Sequence, residues 1–293
     1  MPSGKIARGS ARRPGLLFIF AFVFVLTGVC QERPEEAKAA LMAGIKHTRA
    51  GEHAEAVEFF RRAIELDSHS AVAYNNLAVA FIDLKRFAEA VEPLQAALAI
   101  EPNYFAARAN LGLAFLHLNL GREAITHLSR AAQLRPDAAD VLVNLGAAYN
   151  GLGDHLRAIE VLSKAVGLHP ADPSARNHLA SAYFGAGRPA DGIEELRRSL
   201  SLDPRNTEAI NNLACAYYNM GRTKEGADML RKAVQIDPDF ALARFNLAAA
   251  SLNSNQKSAA LEQYRELKRL DPALADKLFA GIFRRQILLL KEK

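Results

Sequence analysis

The sequence predicts an all-α solenoid in which pairs of helices stack one after another. Six prolines recur at a constant interval of 34 residues: Pro102, Pro136, Pro170, Pro204, Pro238 and Pro272. Each segment between two prolines holds two apolar stretches at helical spacing with a break between them. Two positions of every segment hold only alanine or glycine. A strict period of this length is typical of stacked repeats, in which each unit buries apolar surface against its neighbours.

We take each proline as position 32 of a 34-residue unit, which gives seven units over residues 37–274, the first with Ser68 in place of proline. The proline ends the second helix, because it has no N–H to donate and disfavours helical geometry in the residue before it. In unit 3, Asn119 replaces the mid-unit glycine of position 15, and Gly121 follows two residues later. We therefore expect an atypical turn in that unit.

The residues at one position of the seven units form a column, and two columns are always small. They are position 8 (Gly44, Ala78, Gly112, Gly146, Ala180, Ala214, Ala248) and position 20 (Ala56, Ala90, Ala124, Ala158, Gly192, Gly226, Ala260). Small residues are needed where two helix backbones approach closely, so these columns mark the crossing of the paired helices. Leucines at position 7, aromatic residues at position 11 and leucines at position 24 predict the core around that crossing.

The period, the small columns, the aromatic column and the proline together resemble the tetratricopeptide repeat family over residues 37–274. The resemblance implies antiparallel helix pairs stacked into a right-handed superhelix. The sequence departs from the family at position 4, where a large aromatic residue appears only as Tyr74, while Arg108, Arg176 and Arg244 occupy alternate units. We interpret these arginines as covering apolar surface with their stems while their heads reach water. Duplication of a two-repeat block is the alternative.

Residues 275–293 are predicted to form a C-terminal helix that caps the stack, because an end repeat would otherwise expose its core. This segment is apolar on one side and carries five basic residues. Its run 287–290 is more apolar than a cap requires. A surface for a partner or for self-association is therefore the alternative interpretation of that run.

Residues 1–30 are typical of a signal peptide or signal-anchor, and residues 31–36 of a short linker. Four basic residues precede fifteen residues without a charge, the order found in secretory signals. As a helix this stretch is about 22 Å long, which is short for a bilayer crossing. Since positive charge stays inside, the repeats would lie on the far side of the membrane.

The residues LTGVC that end at Cys30 resemble the lipidation box of bacterial lipoproteins, with one residue too many and Val29 directly before the cysteine. Three outcomes stay open: a lipid anchor on Cys30, an uncleaved membrane anchor, or cleavage to a free protein. Each predicts an exported protein of the cell envelope, membrane-tethered or periplasmic. A cytoplasmic location follows only if the leader is not a true signal.

Charge and motif content exclude most chemistry. The formal net charge is +5, of which residues 1–30 contribute +4, so the repeats offer no basic surface for nucleic acid. The eight histidines are scattered, and no metal-binding, phosphate-binding or nucleophile motif occurs. Cys215 is interpreted as a small apolar filler. We expect no enzyme, no cofactor, no metal and no small-molecule substrate.

The resemblance implies that the first helix of each unit lines a concave groove with positions 2, 5, 6, 9, 12 and 13. Position 6 holds Asn76, Asn110, Asn144, His178, Asn212 and Asn246. Because an amide donates and accepts hydrogen bonds, such a ladder suits the backbone of an extended peptide. It is similar to the asparagine ladder of the O-linked N-acetylglucosamine transferase repeats. The alternative is that these asparagines only tie one helix to the next.

The columns beside the ladder change character along the chain. Val79 and Leu113, with Ile82 and Leu116, predict an apolar half, whereas Tyr218 and several amides predict a polar half. We therefore expect a non-enzymatic protein–protein interaction scaffold of the cell envelope that binds an extended protein segment in its groove. One alternative is a lipoprotein assembly factor for a pilus or secretion pore. Another is an accessory subunit of a glycosyltransferase or polysaccharide machine.

Overall fold

The computed structural model describes residues 33–280, which form helices joined by short turns. The predicted leader, Cys30 and residues 281–293 lie outside this range. The helices are α1 (Pro34–Arg49), α2 (His53–Leu66), α3 (Ala71–Asp83), α4 (Phe87–Ile100), α5 (Phe105–His117), α6 (Gly121–Leu134), α7 (Ala139–Gly151), α8 (His155–Leu168), α9 (Pro173–Gly185), α10 (Pro189–Leu202), α11 (Thr207–Asn219), α12 (Thr223–Ile236), α13 (Ala241–Asn253) and α14 (Lys257–Leu270). A last helix, α15, covers residues 272–280.

Each unit supplies one antiparallel helix pair, from α1 with α2 to α13 with α14. The second helix of a pair also packs against the first helix of the next unit. The chain is thus the all-α superhelical solenoid that the sequence predicts. The prolines act as expected: α6 ends at Leu134, and Arg135 before Pro136 is extended.

Both ends of the array differ from the predicted bounds. Helix α1 begins at Pro34, so residues 34–36 are helical rather than linker. Proline is favourable at a first helical position, and Glu35 and Glu36 interact well with the helix N-terminus. The final helix begins at residue 272 rather than 275. Asp271 caps it by accepting a hydrogen bond from the Leu274 N–H at 2.9 Å.

The turn inside unit 3 is not atypical, and that expectation was wrong. Position 15 has a positive φ in all seven units, about 77° at Gly51 and 59° at both Lys85 and Asn119. The Leu120 N–H then bonds to the Phe115 carbonyl at 2.9 Å, as the corresponding groups do in the other units. Asparagine tolerates this left-handed conformation better than most residues, so it replaces glycine without changing the turn.

The small columns and the leucine columns form the core, as the sequence predicts. Ala56, Ala90, Ala124 and Ala158 are each fully buried. One apolar cluster runs without a break from α2 to α9. From α9 onward the rest of the described core is divided among smaller clusters, each with buried residues from three helices.

The arginines of position 4 do not extend into water, which corrects that interpretation. Arg176 Nε and Nη2 donate to the Pro170 carbonyl, at 3.2 and 2.8 Å, and its Nη1 pairs with Glu195 at 2.7 Å. Both side chains are nearly buried, 12% and 11% exposed. Arg244 repeats the arrangement, with the Pro238 carbonyl at 2.6 Å and Gln263 at 2.9 Å. Each arginine therefore braces the turn between two repeats.

Candidate peptide-binding groove

We call the surface formed by positions 2, 5, 6, 9, 12 and 13 of the first helices the groove face. Direct contacts join this face from one repeat to the next. The Nδ2 of Asn110 donates to Oδ1 of Asn75 at 3.0 Å, although the two residues belong to different units. These residues occupy positions 6 and 5, so the two columns meet between neighbouring first helices.

The same bridge occurs twice more, from Asn212 to Asn177 and from Asn246 to Asn211, each at 2.9 Å. In all three cases a position-6 amide donates to a position-5 amide of the preceding unit. These three members of the predicted ladder tie one helix to the next. Of the accepting asparagines, Asn177 and Asn211 were predicted only as amides of the polar half of the groove, and Asn75 was given no role. The sequence does contain a pattern that indicates these bridges. Each bridge occurs where an asparagine at position 5 is followed, one unit later, by an asparagine at position 6.

The other three ladder residues, Asn76, Asn144 and His178, form no such bridge. Position 5 of the preceding unit is Leu41, Ala109 or Val143, none of which offers a side-chain acceptor. All three ladder side chains are half-buried on the groove face. Their polar atoms therefore remain available to a ligand.

The imidazole of His178 is kept neutral by its surroundings. Burial lowers its pKa, against the smaller opposing effects of Glu208 and Asp172. A neutral imidazole has one donor and one acceptor nitrogen, as a peptide group has one donor and one acceptor. His178 can therefore take the same part in backbone recognition as the asparagines of its column.

The apolar half of the groove lies on α3 and α5. Val79 and Leu113 are half-buried and keep part of their surface accessible. Ile82 and Leu116 pack against the long core cluster below. This half offers a shallow apolar strip whose base is fixed by the core.

The polar half contains aromatic rings seated on glycines. A Cβ added to Gly226 would lie 2.7 Å from the Tyr218 ring and 2.9 Å from the Ala214 carbonyl oxygen. Phe184 lies over Gly192 in the same manner in unit 5. Where position 12 is Ile82 or Leu116, position 20 is alanine. Glycine at position 20 thus lets a large ring lie low in the groove, and burial raises the pKa of Tyr218, which keeps its hydroxyl a donor.

Cys215 lies in α11, the same helix as Tyr218, and is unsuited to thiolate chemistry. Its Sγ receives a hydrogen bond from the Asn246 amide at 3.5 Å. Burial raises the pKa of the thiol, so it stays protonated at neutral pH. The interpretation of Cys215 as only an apolar filler was therefore incomplete, because its sulfur also accepts a hydrogen bond from the next repeat.

The groove face has a marked charge pattern. Its six columns contain no lysine or arginine from unit 2 to unit 7, and their carboxylates are Asp83, Asp140 and Glu208. An acidic ligand would find no counter-charge here, whereas a neutral or basic segment would meet no repulsion.

Neither a metal site nor a membrane-spanning helix occurs among residues 33–280. This part of the chain contains no group of three or more histidine, cysteine or acidic side chains arranged to hold a metal ion. Nor does it contain a helix with the length and apolar character needed to cross a membrane.

Solved structures of low sequence identity share this fold. A tetratricopeptide repeat protein from Parabacteroides merdae matches with a TM-score of 0.73 at 15% identity, covering 83% of this chain and 97% of that one. The structure of Pseudomonas aeruginosa pilF gives 0.57 at 20% identity, over 72% and 97%. YrrB, described as a TPR protein with an unusual peptide-binding site, gives 0.51 at 23% identity, over 63% and 95%.

Comparison of the sequence with curated proteins finds no match. Comparison with protein-family models does find matches. Models of the tetratricopeptide repeat match residues 47–111, then 109–173 and 151–207, and finally 207–240. These ranges join into a continuous match over more than half of the sequence. The chain belongs to the tetratricopeptide repeat family.

Proposed function

We propose that this protein binds an extended, neutral or basic segment of a partner protein along its groove face and is not itself an enzyme. Its repeat architecture is a scaffold suited to protein–protein interaction. The main support for the proposal is that only half of the position-6 side chains bridge to a neighbouring repeat. The other three, Asn76, Asn144 and His178, keep free hydrogen-bonding groups. The apolar strip of units 2 and 3 and the amide-rich units 5 and 6 favour a segment with an apolar part followed by a polar part.

The test uses a defined set of labelled peptides as probes. Each peptide has the same valine- and leucine-containing half, joined to a neutral, basic or acidic polar half. We expect the acidic peptide to bind most weakly. Replacing both Asn76 and Asn144 by alanine removes two hydrogen bonds worth about 0.5–1.5 kcal/mol each, so binding should weaken roughly 5- to 150-fold. Fluorescence anisotropy gives the affinities.

The matched control is Asn110→Ala. This variant removes a bridging amide and leaves Asn75 without its partner, so it should lower the melting temperature more than it lowers affinity. Serine at Val79 and Leu113 should weaken the binding of all three peptides to a similar extent, because they share the same apolar half. The proposal fails if the Asn76/Asn144 variant melts early but binds every probe as the parent does.

We also propose that the protein is exported and held at the cell envelope through its N-terminus. The support is the basic and then apolar leader that ends at Cys30. The structure adds that α1 begins at Pro34, so Gln31, Glu32 and Arg33 separate Cys30 from the first helix. The chain from Cys30 to Pro34 spans at most about 14 Å when extended, so a tether at Cys30 would hold the first repeat close to the bilayer.

Mass spectrometry of the mature N-terminus tests this second proposal. A lipidated protein should begin at Cys30, carry added fatty acid and lose that mass in Cys30→Ser. A mature chain that starts beyond Cys30 would contradict lipidation but leave export standing. A full-length chain recovered from the cytoplasm would contradict both.

A further inference from the structure

A cleft with a volume of about 620 Å³ opens between α2 and α4, on a different surface from the groove face. Its floor is apolar and consists of Ile64, Tyr74, Leu77, Phe81 and Pro93. The floor belongs mainly to the first helix of unit 2, whereas the walls come from the second helices of units 1 and 2. The cleft is therefore bounded by two neighbouring repeats.

Pro93 makes the floor of the cleft unusual. It lies inside α4, where a proline lacks the N–H that would bond to the preceding turn. Its side chain is short and rigid, and it lines the cleft together with Tyr74 of the preceding helix. In units 3, 5 and 7 the same column, position 23, holds the longer polar side chains His127, Glu195 and Gln263, which lie beside the bracing arginines. A short apolar residue at this place leaves room for a guest side chain.

The charged residues around the cleft are of both signs. Glu65, Glu89, Glu92 and Arg61 line it, and the guanidinium groups of Arg61 and Arg86 lie over the Phe81 ring, 5.9 and 4.9 Å from its centroid. Glu65 pairs with Arg62 at 2.9 Å and Glu89 with Arg86 at 2.6 Å. Glu92 takes part in none of the ion pairs found among residues 33–280. An apolar floor with a free carboxylate at its rim favours an apolar segment with basic side chains.

The C-terminal segment of this chain has that chemistry. Residues 281–293 read GIFRRQILLLKEK, with six large apolar residues, four basic residues and one acidic residue. The segment cannot reach unit 2 of its own chain while its side chains occupy the cleft. Five repeat steps of at least about 8–10 Å each, about 40–50 Å in all, separate the two. Thirteen residues span at most about 47 Å when fully extended, so the whole segment would be used to cover the distance and too little would remain to lie in the cleft.

We propose that the cleft between α2 and α4 binds residues 281–293 of a second copy of this chain. A volume of this size holds one or two large apolar side chains, and Glu92 then pairs with a basic neighbour. The contact joins two different surfaces, so it is heterologous and each bound copy presents a free cleft to the next. The protein consequently self-associates head to tail, independently of any ligand in the groove.

The test titrates the full chain, in detergent micelles, into a labelled peptide of residues 281–293. Glu92→Lys should weaken binding at least about fivefold, since it replaces the free carboxylate by a like charge. Ala88→Trp, which places a large ring in the cleft from an exposed position, should abolish binding. Matched controls are Glu160→Lys and Ala190→Trp, the same columns in units 4 and 5, and these should leave the affinity unchanged.

Thermal melts of all four variants establish whether each is folded. A loss of binding by a folded variant is then caused by the change in the cleft. A peptide of the same composition in scrambled order should bind clearly more weakly. The proposal is overturned if the peptide shows no saturable binding up to about 1 mM, or if Glu92→Lys and Ala88→Trp bind as the parent does. It is also overturned if binding is lost only on changing Val79 and Leu113, which would place the segment in the groove.

Discussion

Replacing Ala158 with leucine should destabilise the array by about 1–3 kcal/mol or more. Ala158 is fully buried at position 20 of α8, where that helix crosses α7, and it belongs to the longest core cluster. A branched side chain at this crossing forces the paired helices apart, because the surrounding leucines leave no space for it. Thermal or urea unfolding followed by circular dichroism measures the loss.

A matched control lies on the same helix. Gly167 is exposed in α8, and an added Cβ would meet nothing within 4 Å. Gly167→Ala should therefore stabilise the protein by up to about 1 kcal/mol, because alanine loses less backbone freedom in a helix. A leucine variant of Ala158 that melts with the parent would contradict the placement of position 20 at the helix crossing.

The second large effect is expected from Glu195→Val. This change leaves the guanidinium of Arg176, in a side chain 12% exposed, without its carboxylate. Removing one partner of a nearly buried ion pair costs about 3 kcal/mol or more, since the remaining charge is neither paired nor fully solvated. The free energy of unfolding from urea titration is the measurement.

The protein itself supplies the compensating variants. Unit 4 has Leu142 and Val161 at the positions of Arg176 and Glu195. The double variant Arg176→Leu/Glu195→Val copies that pair and should recover most of the stability, because an apolar pair often replaces a buried ion pair without loss. Glu195→Gln copies the Arg244–Gln263 contact of unit 7 and should cost little. A double variant as unstable as Glu195→Val would refute this explanation.

The fold was predictable because the repeat places equivalent residues in register seven times. A lone alanine such as Ala158 carries little information, but a column that admits only alanine and glycine identifies a helix crossing. The same argument located the leucines around it. The turn of unit 3 was not predicted correctly. The absence of glycine at position 15 was interpreted as the absence of the left-handed conformation that glycine usually adopts there. Asn119 shows that the backbone geometry is retained with another residue.

The candidate groove was predicted less completely, because its contacts join two columns rather than one. Reading position 6 alone gives a uniform ladder, whereas the structure divides it according to the residue at position 5 of the unit before. Asn110 has an asparagine to bind, and Asn144 does not. The contacts of the position-4 arginines were not predicted for the same reason. The role of Arg176 depends on Glu195, which lies nineteen residues later in the chain.

These compensating pairs also limit how the gene for such an array can change. The pairs Tyr218–Gly226 and Arg176–Glu195 each lie within one unit, so duplication or exchange of a whole repeat by recombination carries both partners together. The amide bridges span a boundary, as from Asn177 to Asn212. Recombination at that boundary would separate the two partners. The boundaries before units 2, 4 and 5 have no amide bridge, so recombination there would separate no such pair.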